Sequence, residues 1–88
     1  MNIQDTLDER GKQYGEFESH AEISQALKEV IYQSHGRGLL SDDKREALEM
    51  IMHKVARIIN GNPEFIDSWR DICGYSQLIV NNLTKDAK

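Results

Sequence analysis

The stretch Arg45–Leu83, REALEMIMHKVARIINGNPEFIDSWRDICGYSQLIVNNL, decides the fold. It reads as two long helices joined by one tight turn, Gly61-Asn62-Pro63. On the first, Leu48, Ile51, Met52, Val55, Ile58 and Ile59 recur at helical period and predict a buried stripe. At 3.6 residues per turn, Glu46, Glu49, His53, Arg57 and Asn60 gather on the opposite face, with Lys54 on the border. Gly61 stops this helix. Asn62 is the expected N-cap of the next, with Pro63 at its first position, where a missing N–H costs nothing. That last helix is expected to bury Phe65, Trp69, Ile72, Cys73, Ile79, Val80 and Leu83. Its other side carries Asp67, Asp71, Gly74 and Leu78, with Tyr75 alongside. A mid-helix glycine costs about 1 kcal/mol relative to alanine, so Gly74 predicts a close approach by another backbone or a ligand.

Working outward, Ser41 is the expected N-cap before Asp42 and Asp43, whose negative charge complements the helix dipole. Upstream, Ile23, Ala26, Leu27, Val30 and Ile31 form one apolar face of a helix from about Ser19 or His20 to Ser34. Ser19 with Glu22 has capping-box spacing. His35-Gly36-Arg37-Gly38 ends it. A short first helix is expected from about Gln4 to Gln13, with Asp5 as N-cap. The segment from Gln13 to Glu18 breaks it; Gly15 permits a positive φ. Tyr14 and Phe17 in so short a loop either plug the core or line a pocket, and plugging is the commoner outcome.

At 88 residues the chain is expected to form one domain, residues 1–88. A domain this small buries only about 60% of its unfolded surface. A single cysteine, Cys73, excludes an internal disulfide, and no Cys/His cluster offers a zinc site. Burial between subunits is the remaining common remedy, which predicts a homo-oligomer, dimer or tetramer. The fold expected is therefore all-α: a short N-terminal helix and three longer ones, the last two an antiparallel hairpin, packed as an oligomeric helical bundle. The net charge of −4 argues against nucleic acid as the main partner. Neither a signal peptide nor a membrane-spanning run is visible, so a cytoplasmic location is expected.

The chemistry-bearing candidates meet across the hairpin. Asp71 is expected level with Met52 or His53, offset from Glu49 by about 5 Å at 1.5 Å per residue. Glu46, Glu49 and Asp71 then converge as candidate Mg²⁺ ligands, since hard cations favour carboxylate oxygens. Glu49 is the candidate for orienting or deprotonating a water, with Lys54 and Arg57 on phosphate oxygens. Tyr14 and Tyr75 are further candidate substrate contacts. The competing explanation is a solvated charged face: Glu49 with His53, and His53 with Arg57, are ordinary i, i+4 neighbours, and Asp67 with Arg57 is an ordinary interhelical pair. Cys73 on the apolar side is expected as a small core residue, and Trp69 as core or subunit interface.

Several blocks carry a resemblance that spans nearly the whole chain: Tyr14-Gly15-Glu16-Phe17, Glu46-Ala47-Leu48-Glu49-Met50, Lys54-x-x-Arg57-Ile58 and Asp67-Ser68-Trp69-Arg70-Asp71-Ile72-Cys73-Gly74-Tyr75. Together they resemble small tailed-phage and prophage proteins. More distantly, the hairpin resembles the MazG-type all-α nucleoside triphosphate pyrophosphatases, which carry Glu-x-x-Glu on one helix and Glu-x-x-Asp on the next, bind Mg²⁺ and assemble as dimers or tetramers. Glu46-x-x-Glu49 matches the first motif and Asp71 the end of the second, but Ser68 stands where the second motif has its glutamate. The resemblance implies a phage nucleotide-handling protein working in the host cytoplasm. It is either a Mg²⁺-dependent nucleoside triphosphate pyrophosphohydrolase relative or, as Ser68 favours, a module that binds and sequesters a nucleotide without hydrolysis. A third reading is a protein-interaction module.

Overall fold

A computed structural model describes residues 2–34 and 38–86 and contains four helices: α1 Ile3–Tyr14, α2 Phe17–Ser34, α3 Asp42–Asn60 and α4 Ile66–Asp86. No strand occurs among the described residues. The α1 N-cap is Asn2, not Asp5: the Asn2 side-chain oxygen accepts from the Asp5 N–H at 2.9 Å. Gly15 ends α1 at φ 78°, the left-handed conformation that glycine adopts without penalty. Helix α2 then begins at once at Phe17, so Ser19 lies inside the first turn and the expected capping box is not its start. Of the four residues expected to end α2, His35, Gly36 and Arg37 lie outside the described residues.

Helix α3 keeps the bounds its signals predict, Ser41 before it and Gly61 after. Ser41 does not cap the backbone, however; its hydroxyl donates to the Asp43 carboxylate at 2.6 Å. Helix α4 starts later than expected. Asn62 and Pro63 build a turn of their own: the Asn62 side-chain oxygen accepts from the Glu64 N–H at 3.0 Å, and its carbonyl accepts from the Phe65 N–H at 3.1 Å. Asparagine competes for nearby backbone N–H groups in turns as readily as at helix starts. Phe65 thus precedes the helix. The Trp69 indole N–H donates to the Pro63 carbonyl at 2.9 Å, fastening the turn to α4.

Helix α3 is the centre of the fold, with α2 on one side and α4 on the other; α2 and α4 share no contact among the described residues. The α3–α4 pair is antiparallel, with Lys54 opposite Asp71 at 2.9 Å and Asn82 opposite Asp43 at 3.1 Å. The expected all-α helical bundle is thus present, and because three of its helices lie side by side with α3 in the middle, they form a layer with two broad faces. Wheel geometry assigns the exposed apolar residues to one of these faces: Val30 from α2, Ile59 from α3, and Trp69 and Val80 from α4. The opposite face carries Glu46, His53 and Arg57 of α3, and α1 packs across part of it.

Burial is correspondingly thin. The buried apolar residues are Ala47 and Ala56, and no large side chain is fully buried among the described residues. The predicted α3 stripe is mostly half-buried, and Ile59 is 62% exposed. Trp69, Cys73, Val80 and Leu83, expected inside, are exposed, because α4 has a neighbour on only one side. Gly74, expected to mark a close approach, has open space around its α-carbon.

Candidate functional site

Two turns interlock to shape the site. The α1–α2 corner, Tyr14-Gly15-Glu16, lies against the end of α3, Asn60-Gly61-Asn62. The Asn60 side-chain amide donates to the carbonyls of Tyr14 at 2.8 Å and Glu16 at 2.9 Å. The Asn62 N–H donates to the Gln13 carbonyl at 2.6 Å, and its side chain donates to that of Gln13 at 3.1 Å. Both glycines are there for space. A β-carbon on Gly61 would sit 2.5 Å from the Tyr14 Cα, and one on Gly15 would sit 2.7 Å from the Asn60 side-chain nitrogen.

This lock holds open a cleft of about 700 Å³ between α1, the start of α2 and the polar side of α3. Tyr14, Phe17, His20, His53 and Arg57 line it. The Arg57 guanidinium stacks over the Tyr14 ring at 4.1 Å, a cation–π contact, and that ring meets Phe65 edge to face with 5.8 Å between ring centres. His20 and His53 meet edge to face at 4.6 Å. Phe17 does not plug the core; it is 73% exposed at the mouth of the cleft, tilted toward His20.

Both imidazoles are held neutral. Burial is the largest cause, and the positive charges of Arg57, Lys28 and Lys54 add to it; the His53 pKa falls to about 4 and that of His20 moves the same way. A neutral imidazole offers one N–H donor and one lone-pair acceptor. His20 is 6% exposed, and its Nδ1 has no hydrogen-bond partner. An unsatisfied buried polar atom costs about 1–3 kcal/mol, so this one invites a ligand group or an ordered water.

The candidate metal ligands Glu46, Glu49 and Asp71 are not brought together. Asp71 pairs with Lys54 (Oδ2–Nζ), whose side chain is only 11% exposed. Glu49 accepts from Arg45 at 2.8 Å, one turn earlier on the same helix, on the α2 side of α3. Glu46 is exposed. The register explains the separation: Asp71 lies level with Lys54, not Met52 or His53, which places Glu49 roughly 7 Å further along at about 1.5 Å per residue. Among the described residues, no group of three or more carboxylate, imidazole or thiol side chains is spaced to hold a metal ion. The carboxylates of a single chain therefore do not fit a Mg²⁺ site. Ser68, at the position where the second motif has its glutamate, is buried at 3% exposure.

Of the candidate substrate contacts, Tyr14 and Arg57 share the cleft. Lys54 and Tyr75 do not; Tyr75 borders a shallow groove beside Gly74 and Leu78 on α4. The expected Arg57–Asp67 pair is replaced by the Arg57–Tyr14 stack. Periodicity overlooks His20 although it lies in line with the apolar stripe of α2, three residues before Ile23 and seven before Leu27, because an imidazole at a helix start does not count as apolar. The available signal was its i, i+4 spacing to Ser24, which is also buried, with its hydroxyl unpartnered.

Residues 4–82 match the profile of DUF6378, a domain of unknown function, and so include the α1–α2 corner, the cleft and the hairpin. The chain belongs to the DUF6378 family. No curated protein and no solved structure shows significant similarity to it. For this DUF6378 chain the cleft itself must carry the functional argument. None of its described helices is long and apolar enough to cross a membrane.

Proposed function

We propose that this DUF6378 chain is a phage or prophage nucleotide-handling protein of the host cytoplasm, binding its nucleotide in the cleft at the α1–α2 corner without hydrolysing it. The observation that carries this reading is the unpartnered Nδ1 of His20, nine-tenths buried beside a guanidinium already stacked on Tyr14. A nucleobase is planar, with apolar faces and an edge of donors and acceptors. Phe17 offers a stacking surface at the mouth, and His20 and His53 offer neutral groups for the base edge. Arg57, pre-oriented by Tyr14, supplies a planar fork for phosphate oxygens.

Binding without hydrolysis is preferred over the pyrophosphohydrolase reading on geometry. Asp71 and Glu49 are each engaged by a cation, and to share an ion they would have to leave Lys54 and Arg45. Ser68 supplies no carboxylate. A thermal-shift screen of nucleoside mono-, di- and triphosphates, run with Mg²⁺ and with a chelator, tests the proposal. The expected result is a nucleotide that raises the melting temperature in the chelator, forms no pyrophosphate, and loses its effect in Arg57→Ala. Stabilisation only with Mg²⁺, with pyrophosphate released and the release abolished by Glu49→Gln, overturns it in favour of the enzyme.

A further inference from the structure

We infer that the apolar side of the α2–α3–α4 layer is covered by the same side of a second copy of this chain, in a two-fold dimer whose core is intermolecular. The inference is independent of the nucleotide reading, because the cleft opens on the other side of the layer. Val30 of α2, Ile59 of α3, and Ile66, Trp69, Val80 and Leu83 of α4 are each about half exposed or more. On antiparallel neighbours, the angular offset of these residues from their α3-facing seams places all of them on one side. Between α3 and α4 that side is indented by a groove of about 300 Å³ lined by Leu48, Ile51 and Ile79, a receptor for a protruding apolar side chain.

The size of the deficit matches one such partner. A compact monomer of 10.1 kDa exposes about 5,300 Å² on the scaling of surface with mass. This chain exposes 6473 Å². The excess, roughly 1,200 Å², exceeds the ~800 Å² per partner that a standard stable interface buries. The radius of gyration tells the same story: 15.0 Å against about 12 Å for a compact domain of this length. A chain with no large side chain fully buried among its described residues gains little from folding alone, so the partner has to be present whenever the chain is made. Its own second copy meets that condition. Two-fold pairing sets identical apolar faces against each other, so neither subunit has to supply a complementary surface of different chemistry.

Sedimentation equilibrium on the full chain at tens of micromolar tests this. The expected mass is about 20 kDa, twice the 10.1 kDa of the monomer. Ile59→Glu should give a monomer or an unfolded chain, whereas Leu78→Glu, equally exposed but on the other side of α4, should stay dimeric. The wild type supplies a second readout that no folding defect can confuse. Trp69 is the single tryptophan; in the dimer its emission should be shielded from iodide, and the shielding should fall as dilution lowers the mass. A tetramer that Leu78→Glu cuts to a dimer also supports the inference, since the surviving pair is held by the apolar side. A 10 kDa wild type with Trp69 open to iodide overturns it and assigns the face to a different partner. A dimer broken by Leu78→Glu and untouched by Ile59→Glu overturns it equally.

Discussion

The two faces of the α2–α3–α4 layer solve opposite problems. On the polar face the chain completes itself: Asn60 and Asn62 satisfy backbone groups of the α1–α2 corner, Arg57 stacks on Tyr14, and His53 packs on His20. On the apolar face it leaves Ile59, Trp69 and Val80 half exposed or more. Polar side chains thus complete one face, while several large apolar ones on the other stay exposed. Apolar contacts still join α3 to its neighbours, with Ala47 and Ala56 buried, but the large apolar side chains of the outer face remain half exposed.

The strongest way to break that contrast is at the corner. Gly61→Ala places a methyl group against the backbone of Gln13 and Tyr14, which cannot rotate away. Urea denaturation should show a loss of more than about 3 kcal/mol. A near-neutral result would mean that the two turns are not held against each other.

Acid should act next, through the two imidazoles of the polar face. His53 has a folded pKa of about 4 against an ordinary 6.5, so between these values the unfolded chain binds more protons than the folded one. Stability contributed by the neutral ring is present above pH 6.5 and is lost as pH falls toward 4. For His53 alone the loss is on the order of 3 kcal/mol, with His20 adding in the same direction. Denaturation midpoints measured across this range should fall steadily, and His53→Phe should flatten the dependence. An unchanged slope in that variant would remove His53 as its source.

Smaller effects sharpen the picture. Asn60→Ala deletes two hydrogen bonds to the corner and leaves the Tyr14 and Glu16 carbonyls short of a partner, a loss of about 2 kcal/mol by chemical denaturation. Glu49→Gln disturbs only a partly exposed pair with Arg45 and should cost less than about 0.5 kcal/mol, with nucleotide binding unchanged. A large fall in binding in that variant would return the acidic cluster to the site.

How much of this the sequence discloses follows from the range of each interaction. The four helices, the bounds of α3 and the positive φ of Gly15 are written in local signals, in caps, period and glycine. The start of α4 misleads because Asn62-Pro63 serves a turn as well as it serves a cap. That longer turn shifts the hairpin register by a residue or two, enough to set Asp71 beside Lys54 and away from Glu49. Periodicity identifies which α3 residues share a face, but not what covers it. His20 reaches His53, and Tyr14 reaches Arg57, across more than thirty residues of intervening chain. Aromatic residues flanking a glycine more often plug a core than line a pocket, and only the position of α3 shows that here Phe17 stays outside.

On the proposed function, nucleotide binds in the polar-face cleft. The most direct test is a nitrogen-15 amide titration of the intact protein with the nucleotide that gives the largest thermal shift. Movement should concentrate at Gly15, Phe17, His20, His53 and Arg57, with Gly74, Tyr75 and Leu78 still. Movement centred on Gly74 and Tyr75, or no saturable movement with any nucleotide, would contradict it.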